Sequence, residues 1–192
     1  MDNENLDKII IVSAPSGSGK TTIVNHLLKT FDQLGFSLSY TNRKIRKGEV
    51  DGVNYRFIST QEFKKLIADD MFLEWEEVYK NTFYGTPLSE INRLQEVGKV
   101  PILDIDVVGG SNVKKMFGDK ALAVFIKTPS IKVLEQRLRN RKTETEESIT
   151  KRVNKASIEL EYEKYFDVTI INDVLDDALS EAERIIKQFL NE

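Results

Sequence analysis

The chain contains no cysteine and only one histidine among its 192 residues. Disulfide bonds, thiolate metal sites and cysteine nucleophiles are therefore excluded, and the fold depends on its hydrophobic core. An excess of positive charge is also missing, since 28 Lys and Arg face 31 Asp and Glu, for a formal net charge of −3. This balance argues against a general nucleic-acid-binding protein, which usually carries a clustered positive excess.

Long apolar runs are absent as well. None approaches the roughly 20 residues that a membrane-spanning helix needs, and the first residues, MDNE, lack the basic and apolar parts of a signal peptide. We therefore expect a cytoplasmic protein without a membrane or nucleic-acid partner. Linkers rich in Pro, Gly or Ser and internal repeats are also missing, which predicts a single domain over residues 1–192.

What is present is an alternation of apolar strands and helices. The first apolar run, residues 8–13 (KIIIVS), leads into the glycine-rich APSGSGKTT, and apolar residues at helical spacing follow from Thr21 to about Leu34. A strand, a glycine-rich loop and a helix form the beginning of a βαβ unit. Further buried strands are predicted at 100–106, 122–127 and 168–171. The predicted fold class is therefore α/β, with a parallel β-sheet core flanked by helices.

Two stretches interrupt this alternation. Residues 36–84 contain short strand-like pieces around a charged loop, and residues 139–148 (RNRKTETEES) are too polar to pack. Both are predicted to be inserts beside the core. The strand-like pieces cover residues 36–40, 55–58 and 72–79.

Several helix starts are marked by capping patterns. Ser59 and Glu62 have the spacing of a capping box, in which each side chain satisfies a backbone N–H of the other residue. Pro87 after an N-cap residue predicts a helix that ends at about Val97. The predicted N-cap residues are Ser59, Thr86, Ser130 and Asp176.

The segment APSGSGKT matches the phosphate-binding loop pattern GxxxxGK[ST], except that Ala14 replaces the first glycine. Gly17 and Gly19 allow successive backbone N–H groups to face one anion, and the following helix adds the positive end of its dipole. Lys20 can then reach the β- and γ-phosphates, and the Thr21 hydroxyl can bind Mg²⁺. The loop predicts binding of a nucleoside triphosphate. The alternative is a glycine turn with a solvated lysine.

Asp104 and Asp106 lie two residues apart at the end of a predicted strand. This spacing places both carboxylates on one face at the carboxyl edge of the sheet, where ligands bind in this architecture. At least one of them is predicted to organise Mg²⁺ and its waters. The alternative for either residue is a helix cap or an ion pair with a lysine.

Two groups of arginines are candidates for phosphate binding. Arg43 and Arg46 lie in a basic loop, whereas Arg137 and Arg141 are four residues apart on a predicted helix that precedes Arg152. Guanidinium groups around the transferred phosphate are what phosphoryl transfer needs from a protein. The alternatives are a solvated turn for the first group and helix-surface salt bridges for the second.

Taken in order, the segments of this chain resemble those of the guanylate kinase family of P-loop nucleoside monophosphate kinases, from about residue 8 to about residue 190. The segments that carry the resemblance are SLSYTNR (37–43), RKGE (46–49), GVNY (52–55), FLEW (72–75), YGT (84–86), ILDID (102–106), the segment 141–148 and IND (171–173). The resemblance implies a P-loop kinase fold with an inserted GMP-binding subdomain and a lid. The core would comprise about 8–35, 87–138 and 160–190, the insert about 36–86 and the lid about 139–158.

The resemblance further implies the reaction ATP + GMP = ADP + GDP, with Mg²⁺ as the metal. Glu74 would accept hydrogen bonds from the N1–H and N2–H₂ groups of guanine, which adenine cannot offer. The implied GMP-binding residues are Ser39, Arg43, Arg46, Tyr55, Glu74, Tyr84, Thr86 and Asp104. The implied ATP-binding residues are Ala14, Pro15, Ser16, Gly17, Ser18, Gly19, Lys20, Thr21, Thr22 and Asn172. The implied catalytic residues are Lys20, Arg43, Asp104, Arg137, Arg141 and Arg152, and the implied metal ligand is Thr21, with Asp104 acting through water.

The sequence departs from the common pattern of that family at a few positions. Asn42 stands where a threonine is common, Ile45 where a proline is common and Lys142 where a glycine is common. The spacing between Trp75 and Tyr84 is one residue longer than in many relatives. The expected small-molecule partners are ATP and GMP, with use of dGMP and the choice between monomer and homodimer left open. Two other interpretations also remain open: a kinase for another nucleotide or a phosphorylated sugar, and a catalytically inactive peptide-binding module.

Overall fold

A five-stranded parallel sheet forms the centre of the molecule in the computed structural model, which describes residues 8–46, 48–140 and 145–191. In spatial order its strands are β2 (Leu34–Phe36), β7 (Val100–Asp104), β1 (Ile9–Ser13), β8 (Ala121–Lys127) and β9 (Val168–Ile171). The central strand pairs with both neighbours through Ile10, opposite Ile102 and Leu122. Burial on both faces explains why these strands are apolar without alternation.

Helices cover both faces of this sheet, which confirms the predicted α/β class. On one face, Ile10 and Ile126 pack against α1 (Lys20–Thr30) and α7 (Leu175–Asn191). On the other face, Ile11 and Leu103 pack against α3 (Leu88–Glu96) and α4 (Val107–Phe117). Two further helices, α5 (Ile131–Asn140) and α6 (Glu146–Leu160), pack on each other through a separate apolar cluster. Short 3₁₀ turns lie at Gly118–Lys120 and Glu161–Tyr165.

A second, four-stranded sheet lies in the chain between β2 and α3. Its spatial order is β4 (Arg56–Phe57), β3 (Tyr40–Thr41), β6 (Thr82–Pro87) and β5 (Phe72–Tyr79). The helix α2 (Thr60–Ala68) packs on it through Phe63, whose ring is fully buried and stacks on Phe72 and Phe83 at 4.6 and 5.5 Å between centroids. This sheet therefore has an aromatic core of its own.

The strand predictions at 8–13, 72–79, 122–127 and 168–171 are confirmed to within one residue. The prediction of a helix to about Leu34 is wrong, because α1 ends at Thr30 and a turn closed by the Leu34 N–H and the Phe31 carbonyl follows it. Leu34 then starts β2, which pairs with β7. The predicted strand at 36–40 is therefore divided between the two sheets.

The predicted caps have mixed outcomes. Ser59 accepts a hydrogen bond from the Glu62 N–H, and Ser130 accepts one from the Val133 N–H, so both N-caps are confirmed. Only this half of the predicted capping box is formed by Ser59 and Glu62. Thr86 is not an N-cap, because it belongs to β6 and Pro87 itself occupies the N-cap position of α3. Asp176 lies inside the first turn of α7.

Within the described residues, no helix combines the length and the apolar character that crossing a membrane would require.

Candidate active site

A cleft of about 340 Å³ lies between the carboxyl ends of the main-sheet strands, the second sheet and α6. It brings together the phosphate-binding loop, the carboxyl end of β7 and residues of the second sheet, which are far apart in sequence. Most of the predicted site residues line it. These are Ala14, Pro15, Ser16, Gly17, Gly19, Lys20, Thr21, Thr22, Ser39, Arg46, Tyr55, Glu74, Tyr84, Asp104 and Arg152.

The phosphate-binding loop connects β1 to α1 and depends on two glycines in the left-handed region. Gly17 has φ +105° and Gly19 has φ +93°, and Gly19 is the N-cap of α1. Ala14 does not have a positive φ, so alanine fits there without strain. Asn172 does not line the cleft, but its Nδ2 donates to the Ser18 carbonyl at 2.7 Å and supports the loop from behind.

Lys20 forms an ion pair with Asp104 across the floor of the cleft. Its Nζ lies 2.6 Å from Asp104 Oδ1 and donates to the Ile105 carbonyl at 2.8 Å. Burial alone would lower the pKa of Lys20, but the charge and hydrogen bond of Asp104, together with smaller contributions from Tyr55 and Asp106, outweigh it, so the pKa lies above its ordinary value. The lysine therefore stays charged and fixed at the position where a polyphosphate would lie.

Asp106 does not continue the strand that carries Asp104, because β7 ends at Asp104. The two carboxylates therefore do not share one strand face, although both line the cleft at the carboxyl edge of the sheet, as predicted. The Asp106 carboxylate is the N-cap of α4 and accepts hydrogen bonds from the N–H groups of Val108 and Gly109 at 2.8 and 3.1 Å. Both alternatives considered for this pair of carboxylates occur, one as a lysine partner and the other as a helix cap.

Glu74 lies on β5 directly opposite Thr86 on β6. The Thr86 hydroxyl donates to Glu74 Oε1 at 2.7 Å, and the Ser39 hydroxyl lies 3.5 Å from that of Thr86. Burial raises the pKa of Glu74 to about 7, although the Thr86 hydrogen bond opposes this shift. The three residues predicted to read guanine thus form one polar cluster, in which Thr86 is fully buried behind the other two.

Arg43 lies beside the cleft instead of lining it. Its Nε donates to the Tyr84 hydroxyl at 2.8 Å, and its guanidinium lies 5.1 Å from the centroid of the Tyr55 ring. The sequence did not reveal its main partner, Glu49, which accepts from Arg43 Nη1 and Nη2 at 2.6 Å each and also from the Arg46 N–H. The Arg43 hydrogen bonds lower the pKa of Glu49, and the same contact raises the pKa of Arg43.

The predicted lid arginines occupy different places. Arg152 on α6 lines the cleft, and its Nη1 donates to the Ser16 hydroxyl of the phosphate-binding loop at 2.9 Å. Arg137 on α5 instead donates to the Asp173 carbonyl at 3.1 Å and does not line the cleft. Arg141 lies outside the described residues.

Residues on α6 and at the end of β5 line the cleft without having been predicted. Lys155 and Glu159 follow Arg152 by three and seven residues, a helical spacing from which they could have been found. Lys155 Nζ lies 3.4 Å from Glu159 Oε1 and 5.0 Å from the centroid of the Tyr79 ring. Burial raises the pKa of Glu159, and the charge of Lys155 opposes this shift. The helix α6 thus contacts the second sheet across the mouth of the cleft.

Known proteins of one family match this chain over nearly its whole length. The family model described as guanylate kinase matches residues 6–189. The guanylate kinase of Bacteroides fragilis is 48% identical and is aligned over 95% of this chain and 90% of its own length. The guanylate kinase of Porphyromonas gingivalis is 43% identical, with 96% and 99% covered.

A solved structure agrees with the sequence relatives. The crystal structure of guanylate kinase from Anaplasma phagocytophilum superposes with a TM-score of 0.76 at 26% identity, over 96% of this chain and 87% of that one. The resemblance seen in the sequence motifs is thereby confirmed, and the chain belongs to the guanylate kinase family.

Proposed function

We propose that this chain transfers the γ-phosphoryl group of ATP to GMP and forms ADP and GDP. The observation that carries this proposal is the buried carboxylate of Glu74 in the same cleft as the phosphate-binding loop. One cleft then holds a triphosphate donor and a guanine acceptor side by side, as direct phosphoryl transfer requires. The family model and the names of the relatives support the same reaction.

On the donor side, the backbone N–H groups of the phosphate-binding loop and the N-terminus of α1 bind the ATP phosphates. Lys20 and Arg152 add positive charge beside the transferred group, where negative charge must be neutralised. Arg137 and Arg141 belong to the same set of proposed catalytic arginines. Asn172 contributes indirectly, because it holds the loop at Ser18.

Mg²⁺ is the proposed metal of the reaction, and it neutralises phosphate charge when bound with ATP. Among the described residues, no group of three or more His, Asp or Glu side chains could hold a metal ion. A site that combines the Thr21 hydroxyl, phosphate oxygens and water fits this donor set, because Mg²⁺ keeps several waters and is often bound through substrate phosphates. Asp104 would act through one of those waters.

On the acceptor side, Glu74 accepts from guanine N1–H and N2–H₂, while Ser39 and Thr86 orient the carboxylate and the base. The GMP phosphate is bound by guanidinium groups and phenol hydroxyls, which match its oxygens as donors. The proposed phosphate ligands are Arg43, Arg46, Tyr55 and Tyr84. Because Glu49 holds Arg43 in the same bidentate way in which a phosphate would, GMP binding exchanges one anionic partner for another.

Catalysis then consists of alignment and charge neutralisation, without a covalent intermediate on the protein. Closure of the segment at about 139–158 excludes water, which would otherwise hydrolyse ATP. We propose that the reaction takes place in the cytoplasm, with ATP and GMP as the small-molecule partners. Sedimentation of the purified protein distinguishes a monomer from a homodimer. An assay with dGMP as the acceptor establishes whether dGMP is used.

The test is an assay of ADP formation from MgATP with GMP, AMP, CMP or UMP as the acceptor. We expect turnover with GMP alone, abolished by Lys20→Ala and unaffected by Lys29→Ala, since Lys29 is an exposed lysine in the last turn of the same helix. Turnover with a different acceptor would favour the interpretation as another kinase. Tight nucleotide binding without any turnover would favour a binding module.

A further inference from the structure

Gly109, in the first turn of α4, faces the carboxylate of Glu74. A Cβ atom placed on Gly109 would lie 2.5 Å from Glu74 Oε2 and 3.2 Å from Glu74 Cδ. Gly109 does not have a positive φ, and its N–H donates to the capping carboxylate of Asp106 at 3.1 Å. The backbone at this position therefore accepts any L-residue. The structure requires glycine at this position because the space that a side chain would occupy is taken by the Glu74 carboxylate.

The Glu74 carboxylate is confined from two sides. The Thr86 hydroxyl donates to Oε1 at 2.7 Å, and the empty space at Gly109 receives Oε2. Glu74 as a whole is only 9% exposed. A methyl group at position 109 must therefore displace Oε2 from the orientation that the Thr86 contact sets.

The added methyl group would displace only the end of the flexible Glu74 side chain, so the fold would not change. The neighbouring Gly110 differs in this respect, because a Cβ there would meet Phe166 at 3.0 Å and Ile11 at 3.2 Å in the core behind the main sheet. Alanine also has a higher helix propensity than glycine. Gly109→Ala is thus expected to fold normally while it disturbs one carboxylate.

We propose that Gly109 determines the specificity for guanine, because its missing side chain lets Glu74 present both carboxylate oxygens to the base. Gly109 is a positioning residue: it acts through Glu74. The inference rests on the proposed function, in which Glu74 accepts from N1–H and N2–H₂. IMP keeps N1–H but lacks the N2 amine, so discrimination between GMP and IMP measures how well the carboxylate is placed.

The experiment compares steady-state kinetics and thermal unfolding of Gly109→Ala with those of the unchanged protein. We expect the KM for GMP to rise about tenfold, as the loss of one charge-assisted hydrogen bond would produce. The preference for GMP over IMP in kcat/KM should fall by a similar factor. The KM for ATP and the Tm should stay the same, or the Tm should rise. The matched control is Asn112→Ala, an exposed position on the same helix, for which the kinetics should not change.

A double mutant separates displacement of Glu74 from general damage. In a Glu74→Ala background there is no carboxylate to displace, so Gly109→Ala should change the KM for GMP by less than about twofold. An equal effect of Gly109→Ala in both backgrounds would overturn the inference.

The single variant Glu74→Gln distinguishes the inference from the function on which it rests. If Glu74→Gln leaves the KM for GMP unchanged, the proposed reading of guanine is wrong, and the role of Gly109 is wrong with it. If Glu74→Gln raises the KM but Gly109→Ala does not, only the role of Gly109 is wrong.

Discussion

The charge of Glu74 changes near neutral pH, because burial raises the pKa of this carboxyl group to about 7. Guanine offers two donors to it, so GMP binds the ionised form and must displace the proton from the neutral form. We predict that the KM for GMP falls as the pH rises from about 6 to about 8 and then levels off. Initial rates at saturating ATP across this range provide the measurement.

The phosphate of GMP also titrates, with a second pKa of about 6, which changes the KM in the same direction. Glu74→Gln keeps the phosphate titration and removes that of the carboxyl group. The pH dependence near 7 should therefore be weaker in this variant. An identical profile in both proteins would show that Glu74 does not titrate in this range.

Lys20 and Glu74 are expected to affect different kinetic constants. Under the proposed function Lys20 lies at the donor phosphates, where charge develops in the transition state, so Lys20→Ala should lower kcat by about 100-fold or more. Under the proposed function Glu74 would contact only the base of GMP, so Glu74→Gln should mainly raise the KM for GMP and reduce the preference for guanine. Michaelis curves for both substrates provide the test. Equal effects of the two variants on kcat and KM would contradict this division.

The sequence reveals single residues of the site to different degrees. The spacing of the phosphate-binding loop identifies Lys20, because a local pattern of glycines determines that geometry. The ion pair of Glu49 with Arg43 could not be predicted, because it depends on where a loop folds. The cap formed by Asp106 was one of two alternatives in the sequence, because the choice between them depends on where the strand ends. Gly109 gives no sequence signal, because its role depends on a carboxylate 35 positions away in the chain.

Asn42 connects three elements at the end of β3. Its Oδ1 accepts from the Phe83 N–H at 2.7 Å, and its Nδ2 donates to the Asn81 carbonyl at 2.9 Å and to the Thr60 hydroxyl at 2.8 Å. Asn81 has φ +58° and forms the turn between β5 and β6. The two departures from the family pattern, an asparagine at 42 and a longer hairpin, are therefore in direct contact.

Removal of this amide should affect both stability and the adjacent Arg43. We predict that Asn42→Ala lowers the free energy of unfolding by about 1–3 kcal/mol, since each of three hydrogen bonds contributes about 1 kcal/mol. We also predict that it raises the KM for GMP a few-fold, because Arg43 is the next residue in the chain. Urea unfolding and kinetics measure the two effects. Asn92→Ala, at an exposed position on α3, is the control and should change neither.

Strands could be predicted from the sequence where they are buried along nearly their whole length. The strands β1 and β8 are buried along nearly their whole length because helices cover both sides of the sheet, and apolar runs of this kind are visible in the sequence. By contrast, β3 and β4 have two residues each, too few to show any periodicity. The edge strand β2 follows α1 after a three-residue turn and continues its apolar pattern, which is why its residues were assigned to the helix and the insert.

At the scale of the whole molecule, the two sheets and the helix α6 meet at the cleft. The helix α6 contacts the second sheet through Lys155, whose Nζ lies 5.0 Å from the centroid of the Tyr79 ring. The donor side and the acceptor side are thus in direct contact. Such a contact contributes about 0.5–1 kcal/mol when partly exposed, which corresponds to a twofold to fivefold change in affinity.

We predict that this contact couples the binding of the two substrates. A non-hydrolysable ATP analogue should increase the affinity for GMP less in Lys155→Met and in Tyr79→Ala than in the unchanged protein. The double variant should lose no more than either single variant. Calorimetric titration of GMP with and without the analogue measures the coupling. Lys151→Met, on the exposed side of α6, is the control, and an equal loss in this variant would contradict the prediction.

The strand order of the main sheet and the way in which the second sheet contacts it could not be derived from local patterns. Both depend on pairings between residues far apart in the chain, such as Ile10 with Ile102. The resemblance to a family implied an insert and a lid beside the core but no strand order, whereas the confirmed α/β class follows from the alternation of strands and helices in the sequence. The individual roles of the site residues remain predictions.

The second sheet is attached to the core by only two chain connections, one after β2 and one between β6 and α3. Two adjacent connections define one axis about which the second sheet can rotate, and they oppose its translation relative to the main sheet. Ser39 and Thr86 lie close to this axis, whereas Arg46 lies on a loop beyond β3. A rotation of the second sheet about this axis would therefore move Arg46 further than it moves Ser39 and Thr86. Under the proposed function, such a rotation would let the guanine base bind before its phosphate reaches the donor.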